Sequence, residues 1–183
     1  DYKFIVKKNS LSDTETTIYN YYINSKIHLA NIFLDIGEWD KAKKIYDILD
    51  TYNITDEQSY YLFLKDFGQY YNFKRDFKAS FKYLNRALEI ANKLKDKRYI
   101  ATITGKLADC EFDKGNLDKA LKGFKEEFSI FQELNNNMGI AQAQGDIGKV
   151  LFQQGNLVKA LTHFNLQYDI SKQSDSKQMI LQA

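Results

Sequence analysis

An all-α array of antiparallel helix pairs is predicted for this 183-residue chain by three observations. Gly115-Asn116-Leu117-Asp118-Lys119-Ala120-Leu121 recurs as Gly155-Asn156-Leu157-Val158-Lys159-Ala160-Leu161, 40 residues further on. Apolar residues on both sides of these copies run at three-to-four spacing, the period of one helix face. The chain has no proline and 9 glycines, and no proline-rich or glycine/serine-rich linker divides it, so one continuous unit is expected. Self-similarity at such a period marks a stacked repeat, in which each unit buries its apolar face against its neighbours.

Carried back by the same offset, Arg75-Asp76-Phe77-Lys78-Ala79 falls under the first of these copies, and 38 residues earlier stands Gly37-Glu38-Trp39-Asp40-Lys41-Ala42. The four copies set paired helices at about 14–35 with 39–51, 56–72 with 76–94, 98–113 with 118–134 and 139–153 with 158–173. The repeats then run at about 14–52, 55–95, 97–135 and 137–174, with a further helix from about 176 to 183. In the third pair Ile100, Ile103, Leu107 and Cys110 keep the helical period, Gly115-Asn116 interrupts it, and Ala120, Leu121, Phe124, Phe128 and Phe131 resume it. The fourth follows suit with Ile140, Ala143, Ile147, Val150 and Leu151 before its turn, and Ala160, Leu161, Phe164 and Tyr168 after it. Asp96 and Asn136 stand where a side chain would cap the next helix. Residues 2–8 read as a loose tail or as the end of a preceding helix. Of each adjacent tyrosine pair in the first half, such as Tyr21-Tyr22, Tyr60-Tyr61 and Tyr70-Tyr71, one is expected to face outward, because neighbours on a helix point about 100° apart.

Charge and chemistry exclude several function classes. Lys plus Arg number 26 against 24 for Asp plus Glu, a net charge of +2, too balanced for the basic footprint that phosphate neutralisation needs, so no nucleic acid is expected. No apolar run approaches the roughly 20 residues of a membrane span and no secretory signal opens the chain, so no membrane is expected either. The one cysteine, Cys110, rules out an internal disulfide framework and points to a cytoplasmic setting. The chain begins at Asp1 and stops at Ala183 within a helical-looking stretch, so both ends are expected to be cut from something longer. His28 and His163 stand alone, Cys110 lies on an apolar stripe, and Glu126-Glu127 read as an exposed helix face. Gly115-Asn116 is a turn between helices rather than a phosphate loop. No catalytic residue, metal or cofactor is expected.

These residues resemble the tetratricopeptide repeat (TPR) family in its lengthened form of about 40 residues per unit, which implies a TPR-like αα superhelix, a solenoid of antiparallel helix pairs. The family's small residue of the first helix falls on Ala30, Gly68, Ala108 and Gly148, the alanine of its second helix on Ala42, Ala79, Ala120 and Ala160, and its aromatic partner on Tyr46, Tyr83, Phe124 and Phe164. The second copy reads as one residue short at its turn. The connectors 93–101 and 133–141 are similar to those of long-unit arrays in bacterial signalling proteins and in Pins-type polarity scaffolds. Pins-type scaffolds hold an extended peptide with asparagines at two groove positions, here His28 and Asn31, Asp66 and Gln69, Lys106 and Asp109, Asp146 and Lys149, so only Asn31 is retained. Nor is the lysine, asparagine and arginine clamp of chaperone-tail binders assembled at Ile27, Asn31, Asp66, Thr102 and Lys106.

What the resemblance implies is a non-enzymatic scaffold that binds a peptide or partner domain in the concave groove of the first helices. The groove residues expected to carry this are Asn31, Lys65, Gln69, Lys106, Asp109, Phe112, Asp146, Lys149 and Phe152. The competing reading is that Lys106 with Asp109, and Asp146 with Lys149, merely neutralise each other on a solvated surface. Gly105 and Gly145 read as sites of close helix packing or of ligand approach. The alternative function is a ligand-sensing module controlling an effector domain elsewhere in a bacterial-type regulator. Self-association through the array ends, around Met179, Ile180 and Leu181, is the other partner expected.

Overall fold

The computed structural model describes residues 12–182, with side chains described through residue 173. Segment 2–8 and the side chains of Met179, Ile180 and Leu181 lie outside the described residues. Eight helices and no strand occur among the described residues: α1 (Asp13–Asp35), α2 (Trp39–Asp50), α3 (Glu57–Phe73), α4 (Phe77–Leu94), α5 (Lys97–Asp113), α6 (Leu117–Glu133), α7 (Asn137–Gln153) and α8 (Leu157–Gln182). They fall into two compact units, divided between residues 90 and 91.

Every short turn is built in the same way. Gly37, Arg75, Gly115 and Gly155 close the first helix of each pair with φ of 79°, 59°, 83° and 79°, and Lys95 and Asn135 do so between pairs at 55° and 51°. At Gly115 the next amide, of Asn116, donates to Glu111 O at 2.8 Å while Gly115 N donates to Phe112 O at 2.8 Å. Asn156 to Leu151 and Gly155 to Phe152 repeat the arrangement at 2.8 and 2.9 Å, and Asp76 to Tyr71 and Arg75 to Asn72 at 3.0 and 2.9 Å. This left-handed cap satisfies the last free carbonyls and reverses the chain within three residues. Glycine takes it without strain; at Arg75, Lys95 and Asn135 a side chain must tolerate it.

In the first unit Ser12 and Glu15 form a reciprocal capping box on α1, and Asp56 accepts from the Ser59 amide at 2.7 Å to start α3. Its core is aromatic. Tyr46, Tyr61, Phe63, Phe67 and Tyr70 are buried, with Phe67 4.6 Å from the Tyr83 ring and 5.1 Å from Tyr46. Of the adjacent tyrosines, Tyr61 and Tyr70 are buried while Tyr21 is 72% exposed.

The second unit has the caps read from sequence: Asp96 accepts from the Arg98 and Tyr99 amides at 2.8 and 3.3 Å, and Asn136 from the Gly139 amide at 3.1 Å. Its core joins Ala108, Ala120, Phe124, Ile147, Val150, Leu151 and Ala160, flanked by Phe112, Phe128 and Phe164. Gly105 lies against Glu127 and Ala108 against Gly123, then Gly145 against Gln167 and Gly148 against Phe164; numbers rise on one helix as they fall on the other, so both pairs are antiparallel. Cys110 is fully buried on the apolar stripe.

Three expectations need correction. The second copy is not short at its turn, since Arg75 holds the glycine position. Its buried small residue is therefore Ser80, with Ala79 only half-buried, and the side chain filling the space above Gly68 is Leu84 rather than Tyr83. The shorter 38-residue spacing belongs to the first copy, whose α2 has 12 residues against 18 in α4 and 17 in α6. Finally, no new helix begins near 176, because α8 continues unbroken to Gln182.

This register is tested by enlarging either residue. Ser80→Leu should overpack the helix contact and cost about 1–3 kcal/mol, as should Ala120→Leu and Ala160→Leu, whereas Ala79→Leu should cost well under about 1 kcal/mol. Thermal melts that rank Ala79→Leu below Ser80→Leu would restore the original alignment.

Candidate functional site

In the first unit, α1, α2 and α3 enclose a cleft of about 310 Å³ lined by Asn31, Leu34, Asp35, Trp39, Asp66, Gln69 and Phe73. Its floor is a hydrogen-bonded chain. The Tyr46 hydroxyl donates to Asn31 Oδ1 at 2.6 Å, Asn31 Nδ2 donates to Asp66 Oδ2 at 2.8 Å, and Lys65 Nζ stands 2.9 Å from Asp66 Oδ1. Burial, reinforced by the negative charge of Asp66, drives the Tyr46 hydroxyl far above its ordinary range, so it stays a donor. One wall is aromatic, with Trp39 edge-on to Phe73 at 5.1 Å and the Lys74 ammonium 5.6 Å from the Trp39 ring. Phe73 is 55% exposed, a large apolar surface beside a polar floor.

In the second unit the charged residues of α5 and α7 pair along their own helices. Lys106 Nζ lies 3.2 Å from Asp109 Oδ2, and Lys149 Nζ lies 2.8 Å from Asp146 Oδ1. Asp146 is buried, and the Lys149 side chain is largely exposed. From α6 a third carboxylate joins them. Glu127 is 2% exposed, and its Oε2 has no hydrogen-bond partner. It lies against the backbone of α5 at Gly105, where a Cβ would occupy the carboxylate's own space. Burial first, then Asp146 and Asp109, push Glu127 up to about 8, with Lys106 opposing. Burial likewise raises Asp109, against the pull of Lys106 and with help from Asp146 and Asp113. The amide Gln167 lies over Gly145 as Glu127 does over Gly105, and Gln144 Oε1 meets His163 Nδ1 at 2.5 Å beside it. Among the described residues no group of carboxylates, histidines or cysteines is placed to hold a metal ion.

The residues singled out from sequence thus fall into two places. Asn31 and Gln69 line the first-unit cleft, with Lys65 bound to its Asp66. Lys106, Asp109, Asp146 and Lys149 gather in the second, with Phe112 partly in the core and Phe152 59% exposed. The mutual neutralisation weighed against a functional reading does occur in both lysine–aspartate pairs. Glu126-Glu127 reads from the sequence as an exposed face, yet Glu127 is buried. The signal was available in the 40-residue pairing of Gly105 with Gly145 and Glu127 with Gln167, and in the position of Glu127 on the stripe Ala120, Phe124, Phe131. Trp39, Asp66 and Phe73 complete the first site.

Glu127 makes stability depend on pH. Unfolded, its carboxyl titrates near 4.5; folded, near 8. Between these values the native chain keeps a proton that the unfolded chain has released, so stability is highest below the lower value and falls as pH rises through the window. Glu127→Gln should abolish that decline. Above about pH 8 it should melt higher than the parent, by roughly 2–4 °C for each kcal/mol recovered, and near pH 4 the two should agree. Parallel pH profiles for variant and parent would show that Glu127 ionises freely.

Residues 99–173 match the family model of the tetratricopeptide repeat. No curated protein sequence matches the chain. Among solved structures, the apo form of RapI is 21% identical, with a TM-score of 0.69 over 95% of this chain and 48% of its own. A Rap protein complexed with competence and sporulation factor is 18% identical, with a TM-score of 0.74 over 91% and 46%. The Rap conjugation gene regulator of the plasmid pLS20, in complex with the Phr* peptide, is 19% identical, with a TM-score of 0.72 over 89% and 46%. The chain spans about half the length of these proteins. No helix among the described residues is long and apolar enough to cross a membrane. The last two helix pairs, with small residues packed between paired helices and a direct match over residues 99–173, are tetratricopeptide repeats, and the described chain has a tetratricopeptide-like fold.

Proposed function

We propose that this chain is a protein-interaction scaffold that docks an extended peptide, or a peptide-like segment of a partner, on the faces formed by its first helices: α1 with α3 in one unit, α5 with α7 in the other. The observation that carries the reading is the first-unit cleft. Its floor holds Asp66 and Asn31 in fixed orientation, its wall offers Trp39 and Phe73, and its volume accommodates a side chain of a bound segment. Preoriented polar groups give register while exposed aromatic surface gives affinity, a division common at peptide sites. The second unit repeats the combination with buried Asp146 and exposed Phe152. The Phr* peptide complex of a structurally similar Rap protein supports a peptide as the partner.

That neighbour is a conjugation gene regulator, which favours a second reading in which docking controls an effector region of a longer regulatory protein. Val158, Leu161 and Tyr168, all well exposed on α8, support self-association through the final helix.

The reading is tested by selecting short peptides from a random library on the full chain. Phe73→Ala combined with Phe152→Ala should weaken the selected peptides by about tenfold or more while shifting the melting temperature little, because both rings are more than half exposed. If no peptide is enriched, or if the enriched ones bind the double variant as well as the parent, the docking faces lie elsewhere.

A further inference from the structure

The second unit holds a charge arrangement that packing does not require. Three carboxylates, Asp109, Glu127 and Asp146, interact electrostatically there, and two lysines face them. Each lysine is taken by an aspartate on its own helix, at 3.2 Å for Lys106 and 2.8 Å for Lys149. Glu127 is left over, 98% buried, with Oε2 lacking any hydrogen-bond partner. Buried polar atoms are nearly always satisfied, and an orphaned oxygen on a buried carboxyl group is a costly exception. The next helix pair shows that the fold has a cheaper solution, because Gln167 lies over Gly145 in the same manner with a neutral amide. An ionisable carboxyl at Glu127 thus occupies a position that accommodates a plain amide, and an orphaned buried carboxyl of this kind is characteristic of functional sites.

We propose that Glu127, with Asp109 and Asp146, forms a subsite for a guanidinium or primary ammonium group carried by a docked peptide. The inference rests on the peptide-docking reading above and names the chemistry of one of its positions. A cation there brings the donors that Glu127 Oε2 lacks and a charge against which the Glu127 carboxyl can release its proton. An organic cation with several N–H donors suits carboxylates contributed by three different helices, α5, α6 and α7, whereas no described set is placed to hold a metal ion. Guanidinium, with five donors in a planar fork, satisfies more than one carboxylate at once. Glu127 is buried, so a ligand reaches it only as neighbouring side chains move, and Lys106 is suited to do so. Its side chain is long and partly exposed, its charge is felt by Glu127, and a single 3.2 Å contact holds it to Asp109. The arriving cation takes the place of the Lys106 ammonium at the cluster, and the lysine swings out to water.

The test uses two probes on the full chain. In the first, Nα-acetyl-arginine N-methylamide and its uncharged citrulline counterpart are titrated while the Glu127 side-chain carboxyl is followed by carbon-13 NMR. The arginine probe should shift the Glu127 signal saturably and lower its titration midpoint, and the citrulline probe should not. Lys106→Ala should tighten the arginine probe by about threefold, since it removes the competing ammonium. Glu127→Gln, which matches the natural arrangement at Gln167 and so keeps the fold, should weaken it by about tenfold. Equal responses to both probes, or no saturable response in either parent or Lys106→Ala, would overturn the subsite. In the second arm, peptides selected on the parent should be enriched in Arg or Lys at one position, and those selected on Glu127→Gln should not. Selected peptides with no cationic preference would refute the subsite and leave peptide docking standing. A saturable arginine probe with no selectable peptide would refute peptide docking and leave the cation site.

Discussion

The left-handed caps within each unit are the constraint on which the rest of its structure depends. A helix that ends at Gly37, Arg75, Gly115, Asn135 or Gly155 has its final carbonyls closed by the two amides that follow, so the next helix begins almost at once and in a fixed direction. With so little chain between helices, their phase relative to one another is set by the turn rather than by loose packing. That phase brings a small residue of one helix against a large residue of the next, as in Gly68 under Leu84 and Gly148 under Phe164. It also fixes which side chains share the first-helix faces, because residues 40 apart then occupy equivalent places.

Close approach has a second consequence, felt at the polar sites. Gly105 and Gly145 let a side chain of the paired helix lie on the backbone, and the chain uses this space differently in consecutive pairs, for Glu127 in one and Gln167 in the other. Identical backbone geometry thus carries different chemistry. The same holds across the two units, one building its polar floor from Tyr46, Asn31 and Asp66 and the other from lysine–aspartate pairs around an unpaired glutamate. Repetition supplies the backbone frame, and departures from repetition set the chemistry of the two candidate sites.

Much of the fold was legible in the residues, since Gly115-Asn116 and Gly155-Asn156 announce their own turns, and Asp96 and Asn136 their caps. The register of the second copy was not, because Ala79 mimics the family's alanine one residue before the true position, Ser80, and a glycine-less turn at Arg75 conceals the left-handed cap. The positive φ of Arg75, the full burial of Ser80 and the contact of Leu84 with Gly68 reveal it. The sites were half legible. Lysines and aspartates at helical spacing could be placed on the first helices, yet Glu127 sits beside the exposed Glu126, and a pair of adjacent glutamates ordinarily reads as solvated surface. Its burial follows from a tertiary coincidence, a glycine on α5 opposite a stripe position on α6. Nor does composition reveal the hydrogen-bonded run from Tyr46 through Asn31 to Asp66, which spans three helices.

The central claim is that ligands meet this chain on the first helix of each pair. Photo-crosslinking with a diazirine-bearing peptide selected on the full chain, mapped by mass spectrometry, tests it most directly. Adducts are expected on α1, α3, α5 or α7, at residues such as Gln69, Phe73, Lys149 and Phe152. Adducts confined to second-helix positions such as Lys44, Glu126 and Lys159 would contradict it.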